Sequence, residues 1–255
     1  MPSPSPTGTI NILAADTATR CCTVALCRAA EGEPSAPVSV GAETLLDGQR
    51  LHAERLIAVV DSVLAGAGVT LEEVHLLAVS IGPGSFTGLR IGAAAFQGLA
   101  LARRLPLVAV PTLDALARLA GPGAGMVVPM LDARMGEVFA AAYRRTGGLP
   151  GKITGDLVAP VGEILGKIPA DCGPCVFLGD GADRYEGELR AQMPSAVILP
   201  SPGNTPRASL VAAEAWRLYH AGIDTSPASA VPVYLRLSQA EAAREARLGH
   251  DAGNG

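Results

Sequence analysis

Two segments of the chain, residues 10–28 and 126–144, share one pattern. In each, an apolar run ends at an aspartate, a few polar residues follow, and a second apolar run resumes. An arginine lies twelve residues after the aspartate in both, so that Asp16 precedes Arg28 and Asp132 precedes Arg144. The pattern predicts two β-hairpins. Because alternating helical and strand-like segments follow each hairpin, the sequence predicts two similar α/β lobes.

Two helices are predicted in the first half, over residues 49–65 and 88–104. On an ideal helix the apolar residues of the first segment cover roughly 160°, whereas packing on one sheet needs about 100°. These residues are Leu56, Ile57, Val59, Val60, Val63 and Leu64. The second segment is apolar or small almost all round, with Ala94, Gly98 and Ala102 four apart. We therefore expect a second packing surface on these helices, in addition to their own sheet.

The glycine-rich stretch SIGPGSFTGLRIG, residues 80–92, raises the question of phosphate binding. It does not match the P-loop, the dinucleotide fingerprint or the nucleophile elbow, because the required lysine and glycine spacings are missing. The local pattern favours a strand-to-helix turn in which Ser85 or Thr87 caps the next helix. An anion resting on that helix N-terminus is the alternative that stays open.

No catalytic constellation is evident in the sequence. Asp16 begins the polar turn DTAT, and a carboxylate beside hydroxyls can hold Mg²⁺ and phosphate or can simply accept turn N–H groups. The CGPC segment at 172–175 precedes a strand instead of opening a helix, which argues against a redox dithiol. The four histidines contain no i, i+4 pair. We therefore predict no catalytic residue and no metal site.

Charge and composition exclude several classes of protein. The net charge is −4 and only two residues are lysines, so a basic surface for nucleic acid is missing. No apolar run is long enough to span a membrane, and residues 1–8 lack the pattern of a secretion signal. Five cysteines, an odd number, fit a reducing compartment. We expect a cytoplasmic protein.

The chain resembles the TsaB (YeaZ) family from about Ile10 to Arg236. The residues that carry the resemblance are ILAADTATRCCTVAL, QRLHAERLIAVVDSVL, AVSIGPGSFTGLRIGAAAFQGLALA, VPTLDALA, MLDARMGEVFAAAY and LGDGA. It implies an α/β fold, namely a duplicated RNase-H-like (actin-like, ASKHA) fold of two lobes. We expect an N-terminal lobe over 9–109, a smaller C-terminal lobe over 110–236, a disordered leader over 1–8 and a tail over 237–255.

The resemblance also implies a function. Members of this family support N6-threonylcarbamoyladenosine modification next to the anticodon of tRNA without catalysing it. They pair with the catalytic paralogue TsaD, and TsaE joins in a ternary complex. The chain would meet tRNA only indirectly and need no cofactor, and it could form a homodimer when alone.

The pairing in this family uses the first two long helices, which here are residues 49–65 and 88–103. The resemblance thus implies a partner interface at His52, Leu56, Val59, Val63, Leu89, Ala93, Ala94, Phe96 and Gln97. TsaD-like proteins hold a metal with HxxxH, and here Leu56 follows His52, so half of that site is missing. A vestigial nucleotide site is implied at Asp16, Thr17, Thr19 and Asp132, where Ala18 replaces the glycine of active relatives.

Two other functions compete with the scaffold interpretation. The first is an autonomous ATP-dependent transferase or kinase that uses Asp16 and Asp132. The second is a metallopeptidase-like (glycoprotease) activity, which the sequence disfavours because HExxH and a complete HxxxH are both missing.

Overall fold

The computed structural model describes most of the 255 residues. The described ranges are 8–33, 37–48, 51–121, 123, 125–146, 148–169, 173–201 and 203–236, with 51–54 described by their backbone only. The leader predicted over 1–8, apart from Gly8, and the tail predicted over 237–255 lie outside these ranges. So do Cys172 and the side chain of His52.

The first half of the chain forms a five-stranded mixed sheet with two long helices. Its elements are β1 (Thr9–Asp16), β2 (Cys21–Ala30), β3 (Ser39–Asp47), α1 (Leu51–Ala67), β4 (Leu76–Gly82), α2 (Phe86–Arg103) and β5 (Leu107–Pro111). The strand order is β3-β2-β1-β4-β5. The first three strands are antiparallel, and β4 and β5 run parallel to β1.

The second half repeats this arrangement with shorter elements. They are α3 (Thr112–Ala117), β6 (Met126–Arg134), β7 (Glu137–Ala140), β8 (Tyr143–Arg144), β9 (Gly151–Lys152), β10 (Leu157–Ala159), α4 (Val161–Leu165), β11 (Cys175–Leu178), α5 (Asp180–Arg184), α6 (Glu186–Gln192), β12 (Val197–Ile198) and α7 (Ala208–His220). The order β10-β7-β6-β11-β12 repeats that of the first sheet, with the same antiparallel and parallel partners. The duplicated RNase-H-like fold with mixed sheets is therefore confirmed.

The wide apolar arc of α1 is covered within the chain. Five of its six residues are buried, namely Leu56, Val59, Val60, Val63 and Leu64. They pack against the first sheet, and α1 also contacts α2. The prediction that the arc exceeds what the chain covers is wrong for these five residues, because α2 supplies the second packing surface. Only Ile57 of the arc is exposed.

The opposite face of the first sheet is covered by α7, which comes from the other end of the chain. Its buried residues there are Ala208, Val211, Ala212, Ala215 and Trp216. The boundary predicted at 110 assigns α7 to the second lobe, whereas the helix lies in the core of the first. A buried ion pair joins α7 to the segment after α3, with Arg118 Nε 2.7 Å from Glu214 Oε2. The two halves are thus interlocked at α3 and α7.

The side chain of Thr112 connects the start of α3 to β4. The helix begins at Thr112 itself, and the Thr112 hydroxyl accepts a hydrogen bond from Gly82 N–H at 3.1 Å. The side chain therefore joins β4 to α3 instead of capping its own helix. Among the helices of the described residues, none is both long and apolar enough to cross a membrane.

The glycine-rich loop between β4 and α2 packs against the turn of the first hairpin. Ser85 caps α2 as predicted, because its hydroxyl accepts a hydrogen bond from Gly88 N–H. Ser85 N–H in turn donates to Ala18 O at 2.6 Å. A Cβ at Gly84 would collide with Ala18, and a Cβ at Gly92 would collide with the Thr17 hydroxyl. Gly84 of the loop and Gly92 of α2 therefore permit close contact with the chain's own hairpin.

We predict opposite effects for two glycine-to-alanine substitutions in α2. Gly92→Ala should lower the free energy of unfolding by about 1–3 kcal/mol, because the new methyl group meets the buried Thr17. Gly98→Ala is the matched control, since a Cβ there meets nothing within 4 Å. It should raise stability by about 0.5–1 kcal/mol through helix propensity. Urea denaturation checks both, and equal effects would contradict the seating of α2 on the hairpin turn.

Candidate functional site

A cleft of about 600 Å³ lies between the two lobes. The first lobe contributes the β1–β2 turn and the β4–α2 loop, through residues such as Thr19 and Ser85. The second lobe contributes the end of β6 and the start of α5, including Asp132 and Asp180. The predicted nucleotide-site residues thus occur around one cleft, although they differ in their access to it.

Asp16 lies beneath the cleft and does not line it. The residue is 1% exposed, and its Oδ1 accepts the Ala18 N–H at 3.0 Å. Its Oδ2 is buried without a hydrogen-bond partner among the described residues, as is the hydroxyl of neighbouring Thr17. Burial raises the pKa of the Asp16 carboxyl to about 6, against the lowering effect of the bond from Ala18. Burial therefore makes the ionised form of the Asp16 carboxyl unfavourable in the folded chain.

The second-lobe aspartate, Asp132, is held by its own lobe. Its Oδ1 accepts Arg134 N–H at 2.9 Å, and its Oδ2 lies 3.2 Å from Arg184 Nη1. Its backbone N–H donates to Asp180 Oδ1 at 3.0 Å. Burial raises the pKa of Asp180. Both acidic groups therefore have intramolecular hydrogen-bond partners.

The arginines around the cleft also have acidic partners. Arg20 forms a two-pronged pair with Asp47, and Arg236 pairs with Glu137. Among the described residues, no group of three or more His, Cys, Asp or Glu side chains is placed to hold a metal ion. The Thr19 hydroxyl accepts the Cys21 N–H at 3.2 Å and so stabilises the turn. The polar groups around the cleft therefore bond mainly to neighbouring residues of the protein itself.

A second candidate surface is the outward side of the two long helices. We call it the outer helical face and define it by the exposed residues Ile57, Ala58, Asp61 and Ala65 of α1 and Ala94, Gly98, Leu101 and Ala102 of α2. Ile57 is 50% exposed and Leu101 is 68% exposed. Seven of these eight residues are apolar or glycine, so the face combines small side chains with two large exposed ones.

Comparison with known proteins places this fold in a family. Residues 47–242 match a family model described as "TsaD: tRNA N6-adenosine threonylcarbamoyltransferase". The chain is 41% identical over 138 residues to the tRNA threonylcarbamoyladenosine biosynthesis protein TsaB of Escherichia coli K12, covering 53% of this chain. It is 33% identical to the solved YeaZ from Pseudomonas aeruginosa, with a TM-score of 0.72 over 89% of this chain and 100% of that one.

The chain belongs to the TsaB/YeaZ family. A second TsaB relative, from Haemophilus influenzae, is 39% identical over 134 residues, which is 51% of this chain. The matches span only about half the length of these relatives, 56% for the Escherichia coli protein and 52% for the Haemophilus influenzae protein. Both relatives are named for the biosynthesis of threonylcarbamoyladenosine in tRNA.

Within this TsaB-family chain, the predicted interface residues differ in their exposure. Six of the nine predicted interface residues are buried in the chain's own core: Leu56, Val59, Val63, Leu89, Ala93 and Phe96. Since their side chains are covered by the sheet and by the facing helix, they shape the helices from within. The partner interface itself stays a prediction, and the part of the two helices that is exposed is the outer helical face.

The other three predicted interface residues have separate outcomes. Ala94 is exposed and belongs to the outer helical face. Gln97 is half-buried, and its side-chain amide donates to Pro227 O at 3.0 Å and Ala230 O at 3.2 Å. It therefore holds the C-terminal part of the described chain. The side chain of His52 lies outside the described residues.

Sequence reasoning missed two parts of these candidate surfaces. Leu101 of the outer helical face was not selected, although it lies seven residues after Ala94 and hence on the same helical side. The cleft-lining segment from Val233 to Arg236 was also missed. No local signal reveals it, because its contacts are with residues about a hundred or more positions earlier in the chain.

We predict that Asp16 makes stability depend on pH. Its carboxyl titrates near 3.8 ordinarily and near 6 in the folded chain, so the folded state binds this proton more tightly. The stabilisation is present below pH 4 and is lost as the pH rises through 6. The side chain in Asp16→Asn does not ionise, so the variant does not lose this stabilisation as the pH rises. The variant's free energy of unfolding relative to wild type should be about 2 kcal/mol more favourable at pH 7.5 than at pH 4.5.

Urea denaturation at the two pH values measures this difference. Asp61→Asn is the control, because it changes an exposed carboxylate on α1. A difference between Asp16→Asn and wild type that is the same at both pH values would contradict the burial of an ionised Asp16.

Proposed function

We propose that this chain is the scaffold subunit of a tRNA-modifying complex and that it docks onto TsaD through the outer helical face. In that role it supports formation of N6-threonylcarbamoyladenosine next to the anticodon without carrying out the chemistry. The observation on which the proposal depends is the exposure of apolar and small residues along two neighbouring helices whose inner sides are already packed.

The composition of the outer helical face suits the packing of another helix. Ala94, Gly98 and Ala102 are four residues apart and have little or no side chain, so a partner helix can approach their backbone closely. Leu101 is 68% exposed, and covering such a side chain contributes about 1.5–3 kcal/mol. Asp61 supplies one charged position at which a partner of complementary charge is favoured.

The cleft supports the non-catalytic part of the proposal. Asp16 is buried under the Ala18–Ser85 contact, and Asp132 is held by Arg184 and the Arg134 backbone. Magnesium-dependent phosphoryl transfer needs carboxylates that can reach the metal. In this cleft the two candidates serve internal bonds. With a net charge of −4, the chain would meet tRNA through its partners, TsaD and TsaE.

We predict that a charge on the outer helical face abolishes docking. Ala94→Glu and Leu101→Glu should each weaken binding to TsaD of the same organism by at least about 100-fold, because a carboxylate would be buried at a helix contact. Isothermal titration calorimetry and size-exclusion chromatography measure the effect. The same experiment run without TsaD tests whether the face also forms the homodimer.

The matched control is Leu149→Glu. Leu149 is 55% exposed and lies in the second lobe near Lys152, away from α1 and α2. It should bind TsaD within about threefold of wild type, since a surface change outside an interface costs little. Normal binding by both outer-face variants would refute the proposed docking surface.

We further predict that the cleft carboxylate is dispensable for modification. A reaction with TsaD, TsaE and tRNA should need this chain, and Asp16→Asn should support it within about threefold of wild type, since a buried group that does not line the cleft has no substrate to contact. Purified chain alone should show no MgATP turnover. Turnover that disappears in Asp16→Asn would instead establish an autonomous ATP-dependent enzyme.

A further inference from the structure

The last part of the described chain, residues 231–236, runs from the first lobe to the second along one wall of the cleft. We call this segment the strap. It begins beside the short helix Pro227–Ser229, which Gln97 of α2 holds through Pro227 O and Ala230 O. Its later residues, from Val233 to Arg236, line the cleft.

The first anchor of the strap is on β4 and α2 of the first lobe. Val233 N–H donates to Ile81 O at 2.7 Å. The Tyr234 ring lies 4.7 Å from the Phe86 ring, and Arg90 Nε donates to the Tyr234 hydroxyl at 2.9 Å. The Arg90 guanidinium also lies 3.8 Å from the Phe86 ring centre. These contacts form a cation–aromatic cluster at the start of α2.

The second anchor is on the hairpin of the second lobe. Arg236 Nη1 donates to Ala133 O at 3.0 Å, and the same guanidinium pairs with Glu137. The pair is only partly exposed, at 31% and 30% of the two side chains. A hydrogen bond and an ion pair therefore attach the strap to β6 and β7.

The backbone of β4 accommodates the strap at a position that requires glycine. Gly82 has a φ of +117°, a region that residues with a side chain rarely adopt. A Cβ at this position would lie 2.6 Å from Val233 O. The close approach of the strap to β4 is thus possible only because residue 82 has no side chain.

We propose that the strap ties the two lobes together and sets the opening of the cleft. It contacts both sides of the cleft, at Ile81 and Phe86 on one side and at Ala133 and Glu137 on the other. A further link lies at α3 and the residue after it, where Asp114 accepts the Tyr143 hydroxyl and Arg118 pairs with Glu214 of α7. The α3 link acts as a hinge, and the strap limits rotation about it.

Distances between spin labels test this tie in the full chain. Labels attached through an unnatural ketone amino acid at positions 87 and 135 report on the opening. Thr87 and Met135 are exposed, and each directly follows a residue that lines the cleft, Phe86 or Arg134. Arg236→Ala releases the second-lobe anchor and Tyr234→Ala releases the first. We expect each to shift or broaden the distance distribution by about 5 Å or more. Arg236→Lys, which keeps the charge opposite Glu137, should restore most of the wild-type distribution.

Arg207→Ala is the control. Arg207 is an equally long side chain with an exposed ion pair, 4.0 Å from Glu43, at the start of α7. It should leave the distribution unchanged. Hydrogen exchange provides the second readout, with Val233 N–H expected to exchange at least about 10-fold faster in Tyr234→Ala. Wild-type distances in both strap variants, or fast exchange of the strap without any change in distance, would overturn the proposal.

Discussion

The contact between the first hairpin turn and the start of α2 organises the first lobe. Ser85 N–H donates to Ala18 O, and Gly84 and Gly92 leave room for Ala18 and Thr17. This contact sets where α2 begins and how closely it approaches β1. Because α2 also covers the apolar side of α1, the position of both long helices depends on it. The glycine-rich loop, which raised the question of phosphate binding, therefore contacts the protein's own backbone at Ala18.

The two hairpin aspartates differ in their access to the cleft. Asp16 is buried, and burial raises its pKa. In the second lobe, which repeats the fold without this loop sequence, Asp132 remains at the cleft but is paired with Arg184. The two lobes thus share one strand order around the cleft. The two corresponding aspartates, Asp16 and Asp132, nevertheless have different hydrogen-bond and ion-pair partners.

Several features of the fold were predictable because they depend on neighbouring residues. The two hairpins follow from alternating apolar runs around a polar turn, and the Ser85 cap follows from a hydroxyl placed before a helical segment. The width of the apolar arc on α1 was also evident from the sequence. The prediction attributed the excess width to another subunit, whereas α2 covers it. Helical periodicity shows that a side chain is apolar on a given face, but it does not show whether α2 or another subunit covers that face.

The sequence by itself determined the duplicated order of elements, the positions of the hairpin aspartates and the similarity to the TsaB/YeaZ family. Only the tertiary structure decided that α7 returns to the first sheet, that Gln97 holds residues 227–230, and that the strap reaches Ala133. The physical reason is the sequence separation between the residues in contact. Propensity and periodicity act over a few residues, whereas these contacts join positions about a hundred or more apart and form only when the whole chain has closed around its two cores.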